Sequence, residues 1–313
     1  MEPGGLRGPN VIPATCTGTN ATFPVVSLIN DRATRTVVAV TRRFILILLS
    51  TAGLLGCGGP ASLAQETMNP AAKLVPFEEI EFRRPVPIVA PEMAALWGAR
   101  SRGASGNEEK QPAGKVSALH VHPNDTYALV ITGRMTHAFE GGPPAVELGP
   151  GSFYTLPAGS PHVSACLDGS DCLITYWQPG KLGYKRVRKG SRASVAGVAR
   201  PAASIALAAD GVGVLPSALL WGDPAVGKTG VLEGQEAGAA PAMRTYVGDV
   251  HGVVIVGKAT ITVADAAPRM LGPGSYFVVP VGAKLGTRCE GPAACRYLLF
   301  QPSPAAPGKA VAP

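Results

Sequence analysis

The sequence predicts an all-β protein, two tandem β-barrels behind an N-terminal stretch without globular patterning. Three observations lead there. Apolar residues fall in short runs of strand length, Ala128–Thr132, Ser152–Leu156, Leu173–Trp177, Val253–Val256, Ser275–Val279 and Arg296–Phe300, separated by glycine and proline. The composition agrees: 39 Gly and 30 Pro stand beside 16% charged residues, too few charges for a coiled coil or long solvated helices. Finally, one unit occurs twice. Leu96-Trp97-Gly98 returns as Leu220-Trp221-Gly222, and Leu148-Gly149-Pro150-Gly151-Ser152 as Leu271-Gly272-Pro273-Gly274-Ser275. Cys166 and Cys172 return as Cys289 and Cys295, and Gln178-Pro179 as Gln301-Pro302. The offset is 124 early and 123 late, the mark of a tandem duplication. It sets repeat one at 76–186, a linker at 187–203, repeat two at 204–303 and a tail at 304–313.

The N-terminus reads as targeting rather than fold. Arg42 and Arg43 precede an apolar run, Phe44 to Leu55, that is short for a membrane span and suited to a signal-peptide core. It ends in Leu54-Leu55-Gly56-Cys57, which resembles a bacterial lipobox, in which the cysteine carries lipid. A competing cut follows Ser62-Leu63-Ala64. Residues 38–64 are therefore expected to be the export signal, and 1–37 a leader of doubtful translation, with initiation at Val38 or Val40. The mature chain is expected outside the cytoplasm, as a periplasmic or outer-membrane lipoprotein.

Within each repeat, Gly133 and Gly257 sit where a hairpin should turn, and several short strands with regular turn signals mean a sandwich or barrel. The spacing Cys166-x5-Cys172, repeated at Cys289-x5-Cys295 around turn-rich loops, suits a disulfide closing a hairpin between adjacent strands. Disulfides fit an exported chain. A four-thiolate metal site is the alternative, and it would need the two pairs to meet.

Four of the five histidines lie in repeat one. His120 and His122, at i and i+2 on a strand, point to one face, and His162 from a neighbouring strand can complete a set of three imidazoles on one metal. Such a set leaves positions open for water or substrate. The stretch Gly114-x5-His120-x-His122-x3-Thr126-x6-Gly133 and the stretch Gly151-x5-Pro157-x-Gly159-x2-His162-x3-Cys166 together resemble the two motifs of the cupin superfamily, and two such units resemble a bicupin. The resemblance implies two jelly-roll barrels and a small-molecule metalloenzyme or binder with one divalent transition metal, iron, zinc or manganese. Where the family usually has a carboxylate ligand this chain has Thr126, and the family's last Asn is Cys166. The neighbouring Asp125 should face the other way by strand alternation. Three neutral histidines would leave the metal more cationic, as in the three-His cupin sites of thiol dioxygenases.

Met135, His137 and Phe139 alternate on one face, and their counterparts Ala259, Ile261 and Val263 are apolar, so this face should point into the barrel. His137 is the candidate catalytic residue, a proton carrier beside the metal. Tyr127 and Tyr154 read as ordinary strand aromatics. Repeat two has lost the site: His120, His122, Thr126, His137 and His162 map to Arg244, Tyr246, Val250, Ile261 and Leu285. Arg244 reads as a surface or strand-end residue, and His251 falls off the ligand face.

Two other patterns carry less. Gly222-Asp-Pro-Ala-Val-Gly-Lys-Thr229 formally matches a phosphate-cradling loop, but no helical pattern follows it. The basic run Lys185, Arg186, Arg188, Lys189 and Arg192 has no interleaved aromatics, so despite the net charge of +7 a solvated linker is expected rather than a nucleic-acid surface. The functional expectation is an exported metal-dependent cupin acting on a small molecule as an oxygenase, isomerase or hydrolase. The alternative is a non-catalytic ligand-binding or sensing module of the cell envelope. A membrane enters only through lipid at Cys57, nucleic acid is not a partner, and a homodimer is left open.

Overall fold

The computed structural model describes residues 71–84, 91–190, 195–209, 215–302 and 309–310. The leader, the signal segment, Cys16 and Cys57 lie outside them. The first repeat supplies β2 (Glu92–Gly98), β3 (Ser105–Gln111), β4 (His120–Val121), β5 (Thr126–Thr132), β6 (Met135–Phe139), β7 (Phe153–Leu156), β8 (His162–Cys166), β9 (Cys172–Gln178) and β10 (Lys185–Arg186), preceded by an arm, β1 (Lys73–Val75). A second arm, β11 (Ala199–Arg200), leads into β12 (Ser217–Asp223), β13 (Gly227–Gln235), β14 (Ala242–Thr245), β15 (Val250–Val256), β16 (Lys258–Val263), β17 (Arg269–Leu271), β18 (Tyr276–Val279), β19 (Lys284–Glu290), β20 (Cys295–Gln301) and β21 (Lys309–Ala310).

Each repeat folds into two facing sheets. In the N-terminal barrel the order β11-β7-β5-β9-β3-β2 faces β10-β4-β8-β6; in the C-terminal barrel β1-β18-β15-β20-β13-β12 faces β17-β16-β19-β14-β21. The sequence of β5 explains how its sheet is used. Thr126, Ala128 and Val130 point into the barrel, where Ala128 and Val130 pack with Met135, Leu148 and Ile174, while Leu129 and Ile131 point out. Both faces are covered, so the strand reads as a nearly continuous apolar run rather than a clean alternation.

The outward faces of the two six-stranded sheets meet each other. Leu129, Ile131, Phe153 and Trp177 of the first barrel form one core with Trp221, Val253, Tyr276 and Phe300 of the second. Rings stack through it. Trp177 lies 5.1 Å from Phe300; on either side Trp97 stacks on His251 at 4.7 Å and Trp221 on Tyr127 at 5.3 Å. These pairs are exchanged by the repeat offset, so the pseudo-twofold axis passes between Trp177 and Phe300. Gly106 and Gly230 make it possible, because a Cβ at either would meet the ring of Trp97 or Trp221 at 2.1 Å.

The arms cross over. β1 precedes the first barrel but pairs with β18 of the second, Leu74 opposite Phe277; β11 precedes the second barrel but pairs with β7 of the first, Ala199 opposite Tyr154. The backbone N–H of Phe77 donates to Ser275 Oγ, and that of Ala202 to Ser152 Oγ, at 3.1 and 3.0 Å.

The structure corrects three details of the sequence reading. Both disulfides form, Cys166–Cys172 and Cys289–Cys295. They do not close hairpins, since β8 and β9, like β19 and β20, lie in different sheets; each bridge ties one sheet of a barrel to the other. The Gly133 and Gly257 turns, at φ of 77° and 81°, likewise carry the chain between sheets instead of between paired strands. Arg244 is not a surface residue: it is 1% exposed inside the second barrel, 3.0 Å from Glu233. The formal phosphate-loop match spans the antiparallel hairpin of β12 and β13, strand on both sides.

Candidate metal centre

β4 and β8 pair through a single bridge, His120 opposite His162, which puts these two side chains on the same face at the open end of the first barrel. His122 follows one turn of pleat later. Its carbonyl accepts from the backbone N–H of Gly159 at 2.8 Å, so the Pro157-x-Gly159 turn before His162 is tied directly to the first motif.

The tautomers are fixed by main-chain carbonyls. His120 Nδ1 lies 2.8 Å from the Ala118 carbonyl, His122 Nδ1 2.8 Å from that of Gly183, and His162 Nδ1 2.9 Å from that of Ser160. A carbonyl only accepts, so each Nδ1 carries the hydrogen and each neutral ring presents its Nε2 lone pair. The Nε2 atoms of His120 and His122 are 3.2 Å apart, that of His162 is buried with no partner, and the donor atoms of the three rings lie within 4.8 Å of one another. Burial pushes His120 down to about 4, with His122 adding to it, and lowers His122 as well. Burial, then the neighbouring His120, pushes His162 down to about 3. Three converging lone pairs on rings that resist protonation repel each other unless a cation lies between them. The donor set therefore fits a divalent metal ion.

The other expected residues fall around this centre. Thr126 Oγ1 is hydrogen-bonded to the side-chain amide of Gln178 at 2.7 Å, so a neutral pair occupies the place of the family's carboxylate. Asp125 faces away, accepting from the backbone N–H of Ala158 at 2.8 Å. His137 points inward, its Nδ1 2.9 Å from Ser164 Oγ and its buried Nε2 without a partner. Burial, then the nearby His162, pushes it down to about 3. His251 lies outside the barrel interior, stacked on Trp97 and 2.7 Å from the hydroxyl of Tyr276.

Sequence reasoning passed over two residues. Tyr154, taken as an ordinary strand aromatic, stacks on His137 at 4.0 Å. Tyr184 stacks on His120 at 4.3 Å and meets His122 edge-on at 6.4 Å, while 53% exposed at the mouth of the site. The basic run holds it there: Lys185 and Arg186 pair with Val121 and His120 as an edge strand, so this segment is part of the site wall and not a free linker. A signal for Tyr184 existed. At the late offset of 123, Tyr184 stands opposite Pro307, an aromatic only in the repeat that kept its histidines.

A sequence profile described as "Domain of unknown function (DUF4437)" matches residues 87–298. No curated protein matches the chain in sequence. Among solved structures, a candidate dioxygenase from Nostoc punctiforme superposes with a TM-score of 0.60 at 16% identity, covering 80% of this chain and 90% of its own. Oxalate decarboxylase from Bacillus subtilis, in a structure concerned with its Mn(II) centres, gives 0.51 at 14% identity over 77% of this chain and 80% of its own. The oxalate decarboxylase of Lactobacillus farciminis, in a formate complex, gives 0.52 at 13% identity over 77% and 89%. These likenesses establish the two-barrel cupin fold that the motifs implied.

Proposed function

The chain belongs to the DUF4437 family, and we propose that it is an exported, metal-dependent cupin that acts on a small molecule in its N-terminal barrel. The observation that carries this reading is the convergence of three Nε2 lone pairs whose Nδ1 hydrogens are all committed to carbonyls. His120, His122 and His162 would hold one divalent ion, iron, zinc or manganese. Such an ion supplies Lewis-acid polarisation of a bound oxygen atom, and iron would add chemistry with dioxygen. Oxygenation, isomerisation and hydrolysis are the reaction types this donor set supports; fold alone does not choose among them.

The chain's own residues have separable tasks. Ser164 Oγ fixes the ring of His137, which leaves Nε2 as the atom that would take or give a proton inside the barrel. The Thr126–Gln178 pair contributes no charge, so the metal would keep its full positive charge for an anionic ligand atom. Tyr184 narrows the mouth against His120. Export is supported by the Arg42-Arg43 and Phe44–Leu55 pattern and by two disulfides, which persist in oxidising compartments.

The neutral Thr126 in the carboxylate position favours one second reading, a non-catalytic envelope protein that binds or senses a ligand through the same site. A metal-dependent turnover assay across thiols, catechols and sugars separates the two, because the second reading expects no turnover with any metal. The test of the shared premise is metal analysis of protein purified from its native envelope beside a His120→Ala/His162→Ala variant. Near one equivalent of metal in the wild type, lost in the variant, is expected. A folded, metal-free wild type would overturn the reading, and recovery from the cytoplasm alone would overturn export.

A further inference from the structure

Strand registers sort the interior of each barrel into layers. In the first barrel the outer layer holds the three histidines, Thr126 and Gln178. The next layer inward is set by Asn107 opposite Tyr176, Ala128 between Tyr154 and Tyr176, and His137 opposite Ser164. The same registers in the second barrel place Val231 opposite Leu299, Gly252 between Phe277 and Leu299, and Ile261 opposite Thr287. Position by position, Asn107 becomes Val231, Tyr176 becomes Leu299, Tyr154 becomes Phe277 and His137 becomes Ile261. The barrel that lost its histidines also lost four polar groups behind them.

Three of those four groups carry polar atoms that the barrel itself does not pair. Asn107 Oδ1, Tyr176 OH and His137 Nε2 are buried without a hydrogen-bond partner, as is Gln178 Oε1 in the layer above. An unpaired buried polar atom is destabilising, and the second barrel shows that apolar residues fit the same positions. Groups retained at such a cost and facing one chamber are paired when something else occupies it. Each amide contacts a hydroxyl through its other end, Asn107 with Ser105 and Gln178 with Thr126, so either amide atom could face the chamber. A hydroxyl group, which both donates and accepts, pairs with either orientation and with a tyrosine OH.

We infer that this second layer is the recognition surface for the substrate, and that the substrate is a small hydroxyl-bearing molecule gripped by Asn107, Tyr176 and Gln178. The inference deepens the proposed function and rests on the three histidines being the reactive end of the same chamber. A site built to pair a substrate hydroxyl discriminates strongly against the analogue that lacks it.

The test compares matched probes, glycerate against propionate and glycolate against acetate, by calorimetric titration of the full mature protein. Wild type is set beside Asn107→Val and Tyr176→Leu, substitutions the second barrel already accommodates, with metal content and melting temperature recorded for each. The expected result is that the hydroxylated member of a pair binds about tenfold or more tightly in the wild type. The preference should shrink toward unity in both variants with metal content unchanged. Absence of any preference in the wild type, or its survival in both variants, overturns the inference. Loss of metal from the wild type with the preference intact would instead count against the metal reading alone.

Discussion

The two barrels share one architecture and solve the same interior in opposite ways. At the position of His120 the second barrel has Arg244, and at that of His122 it has Tyr246. Arg244 Nε donates to the Tyr246 hydroxyl at 3.0 Å and Nη1 to Thr287 Oγ1 at 3.1 Å, and the guanidinium pairs with Glu233 at 3.0 Å. Tyr246 in turn donates to Glu233, and Tyr297 to Gln235. Where the first barrel presents lone pairs that want a cation, the second carries its own cation, covalently attached and already neutralised. The difference teaches that losing a ligand set is not passive. In the second barrel the positions of His120 and His122 are filled by a buried charged and hydroxyl network whose cation is part of the chain.

The largest effect should come from opening that network. Arg244→Ala leaves the buried Glu233 without its cationic partner, and a destabilisation of about 3–5 kcal/mol is expected in denaturant unfolding. The double variant Arg244→Met/Glu233→Leu, which removes both charges, should recover most of it or exceed wild type. Metal content should not change in either. A metal loss would show that the second barrel takes part in the site, and so break the contrast.

A smaller effect is expected at Glu108, on the face that meets the other barrel. Its counterpart is Leu232, part of the core between the barrels, yet Glu108 is fully buried with both carboxylate oxygens unpartnered. Burial holds its carboxyl well above the usual carboxylate range. The stabilising contribution of the neutral acid is present below about pH 4.5 and is lost as pH rises through the raised folded value. Glu108→Leu should therefore stabilise at pH 7 by about 1–3 kcal/mol and by less at pH 4, read from unfolding midpoints. A destabilised variant at pH 7 would mean the carboxyl has a partner.

At pH 7 the smallest effect is expected at His251, the counterpart of Tyr127, where the contribution shows only as pH falls. Burial pushes it down to about 4, with Asp249 opposing and Lys73 assisting. A histidine whose folded value lies below 6.5 favours the neutral form, so its contribution is present above pH 6.5 and is lost as pH falls toward 4. His251→Tyr should remove up to about 1.4 kcal/mol per pH unit from the slope of stability between those values. An unchanged slope would assign the acid sensitivity to the buried histidines of the first barrel.

What was legible in the sequence follows from how local each signal is. His120, His122 and His162 sit at fixed spacings within two short motifs, and the cysteine pairs within seven-residue windows, so chain distance reported spatial distance. The burial of Arg244 is not legible in the sequence because its partner Glu233 lies on the facing sheet, and spacing alone does not say that the two point at each other. The disulfides were placed correctly and interpreted wrongly for a related reason. The strands that carry the cysteines follow one another along the chain but lie in different sheets, so β8 and β9, like β19 and β20, are not neighbours in a ladder. Tyr154 and Tyr176 are ordinary strand tyrosines in the sequence; only the structure brings the first against His137 and leaves the hydroxyl of the second buried without a partner.

The crossed arms bear on ancestry. Each half of the chain covers the sheet edge of the other half with the segment that precedes its own barrel. A single half would have both an uncovered edge and an arm with nowhere to lie, and two identical halves would complete each other by exchange, as symmetric dimers with swapped segments do. Joining those copies end to end makes the exchange intramolecular. The same topology means that a proteolytic nick between the barrels would not release them, because each fragment would still be laced into its neighbour.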